Sequence, residues 1–485
     1  MTLPTRRDRS GRPTRRQLLN HRLMARMLLA SGGVWLAMLA FAAVASGANP
    51  KPNTIVIFTD DQTYRGIGYN NPEVKTPHLD ALAASGITFE RAYVASPICA
   101  ASRASMMTGR FPQQHGVMGL GSGAFAPYRT GAPAASQSLA YQLAKAGYCT
   151  AFFGKSHLGQ ARNYGFEVGE EVGDHGDVKL FEQASEFIRS QKKDAKPFFL
   201  WLAPNQPHVP LRPQAKWLDL YPKGSIHLPK NFRTEPAKAS LNNQGLPGQA
   251  MYRDSDYRDN LDRLPAGPPR DEATMLAFTR AYYAVVSRLD DQVGEFVKLL
   301  RDGGLMENTV VIFLSDNGYH LGSHGLGNKI TMHEESVRVP MFAFGAGVKS
   351  GQKTRALVSA LDVYPTLLAL AGADSPPQPL MGKSLLPLFK DPTAPIRETV
   401  FSECVGVGGK AGQGHRMARG ERWKLILSDA NEEFLFDLKE DPFELTNRRD
   451  DPDLAPTLAK HRQELADWMK SIGDRPYPMT ANLKP

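Results

Sequence analysis

Residues 54–61 read Thr54-Ile55-Val56-Ile57-Phe58-Thr59-Asp60-Asp61. The apolar run shows no alternation, as expected of a strand buried on both faces inside a parallel sheet. Two aspartates close it. In α/β sheets ligands collect at the carboxyl ends of strands, and adjacent carboxylates repel unless a cation compensates them. A turn or a helix cap would use the same two residues, so the pair alone leaves both readings standing.

The pattern recurs along the chain. Cys149–Phe153, Phe198–Leu202, Thr309–Leu314 and Val337–Phe344 read as further strands. Helical patterning separates them at Leu79–Ser85, Leu139–Ala146, Val178–Gln191, Asp271–Arg301 and Leu361–Ala371. In the longest helix Tyr282, Val285, Val286, Leu289, Val293, Phe296, Val297 and Leu300 form one stripe, and Gly303-Gly304 stops it. The alternation predicts an α/β fold with a large mixed, mostly parallel sheet flanked by helices.

The composition breaks at Ser375-Pro376-Pro377-Gln378-Pro379. Short strands at Val400–Ser402, Trp423–Leu427 and Phe434–Asp437 and a helix at Leu454–Ser471 follow, predicting a smaller α+β subdomain. The expected organisation is a signal segment at 1–48, a catalytic domain at 49–375 and the C-terminal subdomain at 376–485. Residues 204–270 show no sustained period and read as an ordered surface excursion that shapes a cleft. The glycines of 119–123 neither follow a strand nor open a helix, so they read as a loop and not a dinucleotide fingerprint.

The net charge of +9 is not a nucleic-acid signature, because residues 1–45 hold eight arginines against one aspartate. That segment reads as an export signal: a basic stretch, an apolar run from Met27 to Val44, then small residues. Thr14-Arg15-Arg16-Gln17-Leu18-Leu19 resembles a twin-arginine signal, while Met24 would start an ordinary secretory one. A permanent N-terminal anchor is the other reading of the same run. The expected location is therefore periplasmic or secreted. Three cysteines make no disulfide framework. Cys149 and Cys404 are expected to be buried free thiols, with a 149–404 bridge as the alternative.

Ser315-Asp316-Asn317-Gly318 also follows an apolar strand. Asp60, Asp61, Asp316 and Asn317 together make a hard oxygen set that suits calcium first and magnesium second, rather than zinc. Lys155 and His157 follow the Cys149–Phe153 strand, His208 follows Phe198–Leu202 between Pro207 and Pro210, and Lys329 lies in a glycine-rich stretch. Cations at strand ends beside a metal site would neutralise a tetrahedral oxyanion, and the histidines could move protons. His324 reads as structural; His320, His333, His415 and Arg416 are weaker substrate-contact candidates. Cys99 stands in Pro97-Ile98-Cys99-Ala100-Ala101-Ser102-Arg103 with no metal-ligand partner at local spacing.

On Thr59-Asp60-Asp61-Gln62, Cys99 to Arg103 with Thr108-Gly109-Arg110, Gly154-Lys155-Ser156-His157, Pro207-His208, Ser315–Gly318, Trp423-Lys424-Leu425 and Phe436-Asp437-Leu438 with Asp441-Pro442, the chain resembles the formylglycine-dependent sulfatases of the alkaline-phosphatase-like superfamily. The resemblance spans nearly all of the chain after the export segment. It implies that a maturation enzyme oxidises Cys99 to formylglycine, that the hydrated form also touches the cation held by Asp60, Asp61, Asp316 and Asn317, and that Arg103 holds it. It further implies in-line attack on sulfur, with His208 protonating the leaving group, Lys329 and Lys155 on the sulfate, and His157 taking the proton that lets sulfate depart. The family motif Cys-x-Pro-x-Arg carries Ala101 here in place of proline, a variant that other members resemble. A sulfated glycan is the first substrate class implied; aryl sulfates and choline sulfate stay open. A phosphodiester or phosphonate hydrolase of the same superfamily would share most of this site. An exported cation-binding protein with unconverted Cys99 is the non-catalytic alternative.

Overall fold

Extended apolar residues make Asn53–Thr59 the strand β1, and all seven of its residues are buried. The coordinates are a computed structural model that describes residues 51–118, 135–173, 176–192, 195–234, 271–404, 414–428 and 432–474. The expected export segment, the glycines of 119–123 and the 235–270 part of the surface excursion lie outside the described residues. The remaining strands are β2 (Ile87–Tyr93), β3 (Cys149–Gly154), β4 (Val168–Glu171), β5 (Phe198–Ala203), β6 (Thr309–Ser315), β7 (Met341–Gly345) and β8 (Gln352–Ser359), then β9 (Val400–Cys404), β10 (His415–Arg419), β11 (Trp423–Ser428) and β12 (Glu433–Asp437).

The first eight form one sheet in the order β4-β3-β5-β1-β6-β7-β2-β8. Only β7 runs against its neighbours; every other pairing is parallel. Because side chains alternate across a strand, β1 serves two cores. Val56 and Phe58 pack with Trp201 and with Ala100, Ala104 and Met107 of the Cys99–Thr108 helix. Ile55 and Ile57 pack with Leu289, Val293 and Phe296 of the Glu272–Asp302 helix on the opposite face. Asp271 caps that helix by accepting from the Thr274 amide at 2.7 Å. This is the mixed, mostly parallel sheet between helices that the apolar runs predict. The last four strands form a separate antiparallel sheet, β12-β11-β10-β9, packed against the Ala455–Ser471 helix through Leu425, Leu427, Leu465 and Trp468.

Three differences from the expectations have local causes. β2 lacks a continuous apolar run because Glu90 and Arg91 interrupt it, yet it sits between β7 and β8. The stretch from Val337 is not one strand: Glu334–Val337 is a helical turn, and β7 starts only at Met341, after Pro340, which has no N–H to give a ladder. Cys149 is half-buried rather than buried, since it opens β3 at the solvent end of the sheet. All three cysteines are free thiols. Among the described residues no helix is long and apolar enough to cross a membrane.

Candidate active site

β1 and β6 pair in parallel with Thr59 beside Ser315, so Asp60 and Asp316 leave the sheet side by side. The join continues past the strands: the Asp316 amide donates to the Thr59 carbonyl at 3.0 Å, and the Asp61 amide donates to Asp316 Oδ1 at 3.1 Å. Asp61 has a left-handed backbone, φ 63°, which aspartate tolerates better than most residues. Tyr282 of the long helix donates from its hydroxyl to the Asp61 carbonyl at 2.7 Å and accepts from the Thr63 amide at 3.0 Å. The sequence reading placed Tyr282 only in an apolar stripe; no local signal marks it as the clamp on this turn.

Gly318 closes the second turn. A Cβ there would meet the Glu335 carbonyl oxygen at 2.0 Å, because the turn packs backbone to backbone on the Glu334–Val337 segment. Gly318→Ala is expected to lower the unfolding free energy by about 1–3 kcal/mol, measured by chemical denaturation.

Cys99 begins a ten-residue helix that ends at Gly109, φ 67°, and all ten residues are buried. As a helix it puts Arg103 on the same face as Cys99, one turn on. Arg103 is 2% exposed. Its guanidinium joins three strands: Nε lies 2.9 Å and Nη2 2.8 Å from Asp316 Oδ2, Nη1 donates to the Lys155 carbonyl at 2.7 Å, and Nη2 stands 3.6 Å from Asp60 Oδ2.

The other cations arrive from neighbouring strand ends. Lys155 follows β3 and its ammonium pairs with Asp60 Oδ2. Lys329 reaches Cys99 Sγ at 2.8 Å and pairs with Asp61 Oδ1, which also accepts from Asn317 Nδ2 at 2.7 Å. His208, after β5, holds Nε2 3.6 Å from Asp61 Oδ2 while its Nδ1 bonds the Val209 carbonyl. His157 is half-buried beside Lys155; burial first and the Lys155 charge second push its imidazole down to about 2, so the ring is neutral. Burial pushes the Cys99 thiol up, against the pull of Lys329.

The structure therefore gathers Asp60, Asp61, Cys99, Arg103, Lys155, His208, Asp316, Asn317 and Lys329 at one end of the sheet. Donor atoms of Asp60, Asp61, Cys99 and His208 all lie within 4.8 Å of one another. Asp316, next to that group, accepts from Arg103 at Oδ2 and from the Asp61 amide at Oδ1. Asp60 Oδ1 and Asn317 Oδ1 are buried without a hydrogen-bond partner, and Asp61 Oδ2 has only His208 at 3.6 Å. Buried oxygens left in this condition cost free energy, and hard oxygen donors fit a calcium- or magnesium-like ion. The weaker substrate candidates are placed differently. His320 is 1% exposed and bonded to Thr331, and Arg416 is buried in ion pairs with Glu403 and Asp474.

The sulfatase family model matches residues 52–373, and the model of the C-terminal part of N-sulphoglucosamine sulphohydrolase matches residues 322–471. The chain belongs to the sulfatase family, and its fold is the alkaline-phosphatase-like one of that family. It is 28% identical over 460 residues to an arylsulfatase of Clostridium perfringens, covering 82% of this chain and 90% of the relative. It is 25% identical over 518 residues to an N-acetylglucosamine-6-O-sulfatase of Bacteroides thetaiotaomicron, covering 90% and 91%. The structure of BT4656 in complex with its substrate D-glucosamine-2-N,6-O-disulfate matches with a TM-score of 0.76 at 23% identity, over 88% of this chain and 99% of that one. The protein is thus a sulfatase, and the non-catalytic reading falls away.

Proposed function

We propose that this sulfatase is exported, carries formylglycine at position 99, holds one divalent cation, and removes sulfate from a sulfated glycan. The observation that carries the reading is the position of Cys99. It opens a buried helix one turn before Arg103, touches Lys329, and stands within 4.8 Å of the Asp60 and Asp61 carboxylates.

Asp60, Asp61 and Asn317 would hold the cation together with residue 99, with calcium the first choice. Bound there, the cation supplies positive charge to the sulfate oxygens. The charge balance supports this. Asp60, Asp61 and Asp316 face Arg103, Lys155 and Lys329, so the residues alone are neutral. A divalent ion leaves a net positive site, which an anionic sulfate ester then enters favourably. As formylglycine, residue 99 hydrates to a diol that offers one oxygen for attack on sulfur and a second for release of sulfate. Lys329 and Lys155 hold the sulfate oxygens. Arg103 fixes Asp316 and the strand ends. His208 gives a proton to the leaving oxygen, and the neutral His157 accepts one as sulfate departs. Water enters, an alcohol and sulfate leave, and residue 99 returns to its starting state.

Cys99 is 1% exposed, so conversion to the aldehyde belongs before folding is complete. The glycan preference draws on the names of relatives such as the N-acetylglucosamine-6-O-sulfatase; aryl sulfates come second. The export proposal rests on the N-terminal pattern of basic, apolar and small residues. A panel of sulfated saccharides, 4-nitrophenyl sulfate and a phosphonate ester, assayed with enzyme whose residue-99 peptide has been mass-analysed, tests the reading. Preferential phosphonate hydrolysis would overturn it.

Asp316→Ala is expected to lower cation affinity and activity together by at least about 10–100-fold, because it frees Arg103 and the Asp61 amide from their partner. Metal analysis after dialysis and initial rates at saturating calcium measure the two effects.

A further inference from the structure

β5 is joined to His208 by Pro204-Asn205-Gln206-Pro207. Proline has no N–H, so this turn owns two amide donors, those of Asn205 and Gln206. One carboxylate takes both. The Asn205 amide donates to Asp177 Oδ1 at 2.7 Å, and the Gln206 amide donates to Asp177 Oδ2 at 3.0 Å.

Asp177 is 2% exposed and is the first residue of the Asp177–Ser190 helix. A buried carboxylate is costly unless it is hydrogen-bonded. The two amides and the positive end of its own helix offset that cost here. An asparagine of the same volume would not serve equally: it has one acceptor oxygen, and its other arm is a donor facing an N–H. The site thus calls for a carboxylate and not merely for a polar side chain.

The carbonyls of the same two residues face the catalytic groups. The Asn205 carbonyl accepts from the His208 amide at 2.8 Å, and the Gln206 carbonyl accepts from the Asp60 amide at 3.2 Å. Each peptide is therefore held by Asp177 on one side and tied to a functional residue on the other. The His208 ring has little else to fix it. Its Nδ1 bonds the carbonyl of the next residue, and its Nε2 stands 3.6 Å from Asp61. The backbone of the turn sets where the ring lies. A proton donor must come within about 2.6–3.2 Å of the atom it serves, and a displacement of about 1 Å can cost about 10²-fold.

We propose that Asp177 is a positioning residue for the leaving-group proton: by holding both amides of the 204–207 turn it places His208 Nε2 against the departing oxygen. The proposal rests on the reading of His208 as the proton donor.

The test is a double-mutant cycle of Asp177→Asn and His208→Ala in matured, calcium-loaded, full-length enzyme. The substrates are 4-nitrophenyl sulfate and the sulfated saccharide that the enzyme turns over best. Asp177→Asn is expected to lower kcat/KM on the saccharide by about 10–100-fold and on the nitrophenyl ester far less, with calcium affinity kept. In the His208→Ala background it should cost nothing further on the saccharide, because a residue that acts through His208 has no effect without it. A residue that only stabilises the fold would show the same loss in both backgrounds and on both substrates, and that result would overturn the proposal. So would unchanged kcat/KM on the saccharide, or a loss of calcium affinity, which would route the effect through Asp60. Should Asp177→Asn not fold, Asp177→Ser, which leaves room for water to accept from the two amides, carries the same cycle. The His208→Ala arm alone tests the reading of His208: equal losses on both substrates would remove the proton donor, whatever the Asp177 arm shows.

Discussion

Cys99→Ala should abolish turnover, by at least about 10⁴-fold, while the protein keeps its fold and its Tm within a few degrees. Cys99 is the first residue of a helix whose other residues make the packing: Ala100, Ala101, Ala104, Met106 and Met107 all sit in the main core, and Cys99 does not. Its side chain faces Lys329 and Asp61 instead. Alanine therefore removes one atom from a polar site and leaves the helix and its Arg103 anchor in place. No neighbouring side chain can stand in for it, since the nearest groups are carboxylates and an ammonium already paired with each other. Assay on 4-nitrophenyl sulfate and on a sulfated sugar, with circular dichroism on the same sample, checks both halves. Full activity in a preparation whose residue-99 peptide is entirely thiol would sink the formylglycine reading.

The second large effect is expected at His208. Its side chain is 25% exposed, against 5% or less for Asp60, Asp61, Arg103, Lys155 and Lys329, so it stands on the open side where a leaving group departs. A carbonyl can only accept, so the bond between Nδ1 and the Val209 carbonyl keeps a proton on Nδ1, and it is the second proton of the charged imidazolium, on Nε2, that the ring gives up. A sugar alkoxide is a poor leaving group and needs that proton; a nitrophenolate needs it far less. His208→Ala should thus cost about 10²–10⁴-fold in kcat/KM on a sulfated sugar and much less on 4-nitrophenyl sulfate. Equal losses on both would assign His208 to sulfate binding and move the proton to another group.

The parts of this protein that the sequence by itself determined are those that one strand or one helix turn encodes. Ile55–Phe58 and Val310–Leu314 are apolar at every position because both faces of β1 and β6 are covered, and Asp60-Asp61 and Asp316-Asn317, which follow those runs, lie at strand ends by necessity. Cys99 and Arg103 share a face because four residues make about one helical turn. Tertiary structure alone decided which strand ends meet. Nothing local tells that β1 pairs with β6 in the register that brings Thr59 to Ser315, or that Glu90 and Arg91 lie within a strand of the same sheet. Lys329 comes to Cys99 across 230 residues of chain, and Tyr282 to the Asp61 carbonyl across 221. The hold of Asp177 on the Asn205 and Gln206 amides has the same origin. It spans 28 and 29 residues, and only the packing of the Asp177–Ser190 helix on the sheet joins the two ends. Periodicity reports which face a residue takes. The contact between two faces depends on pairing energies summed over the whole sheet, which no single segment contains.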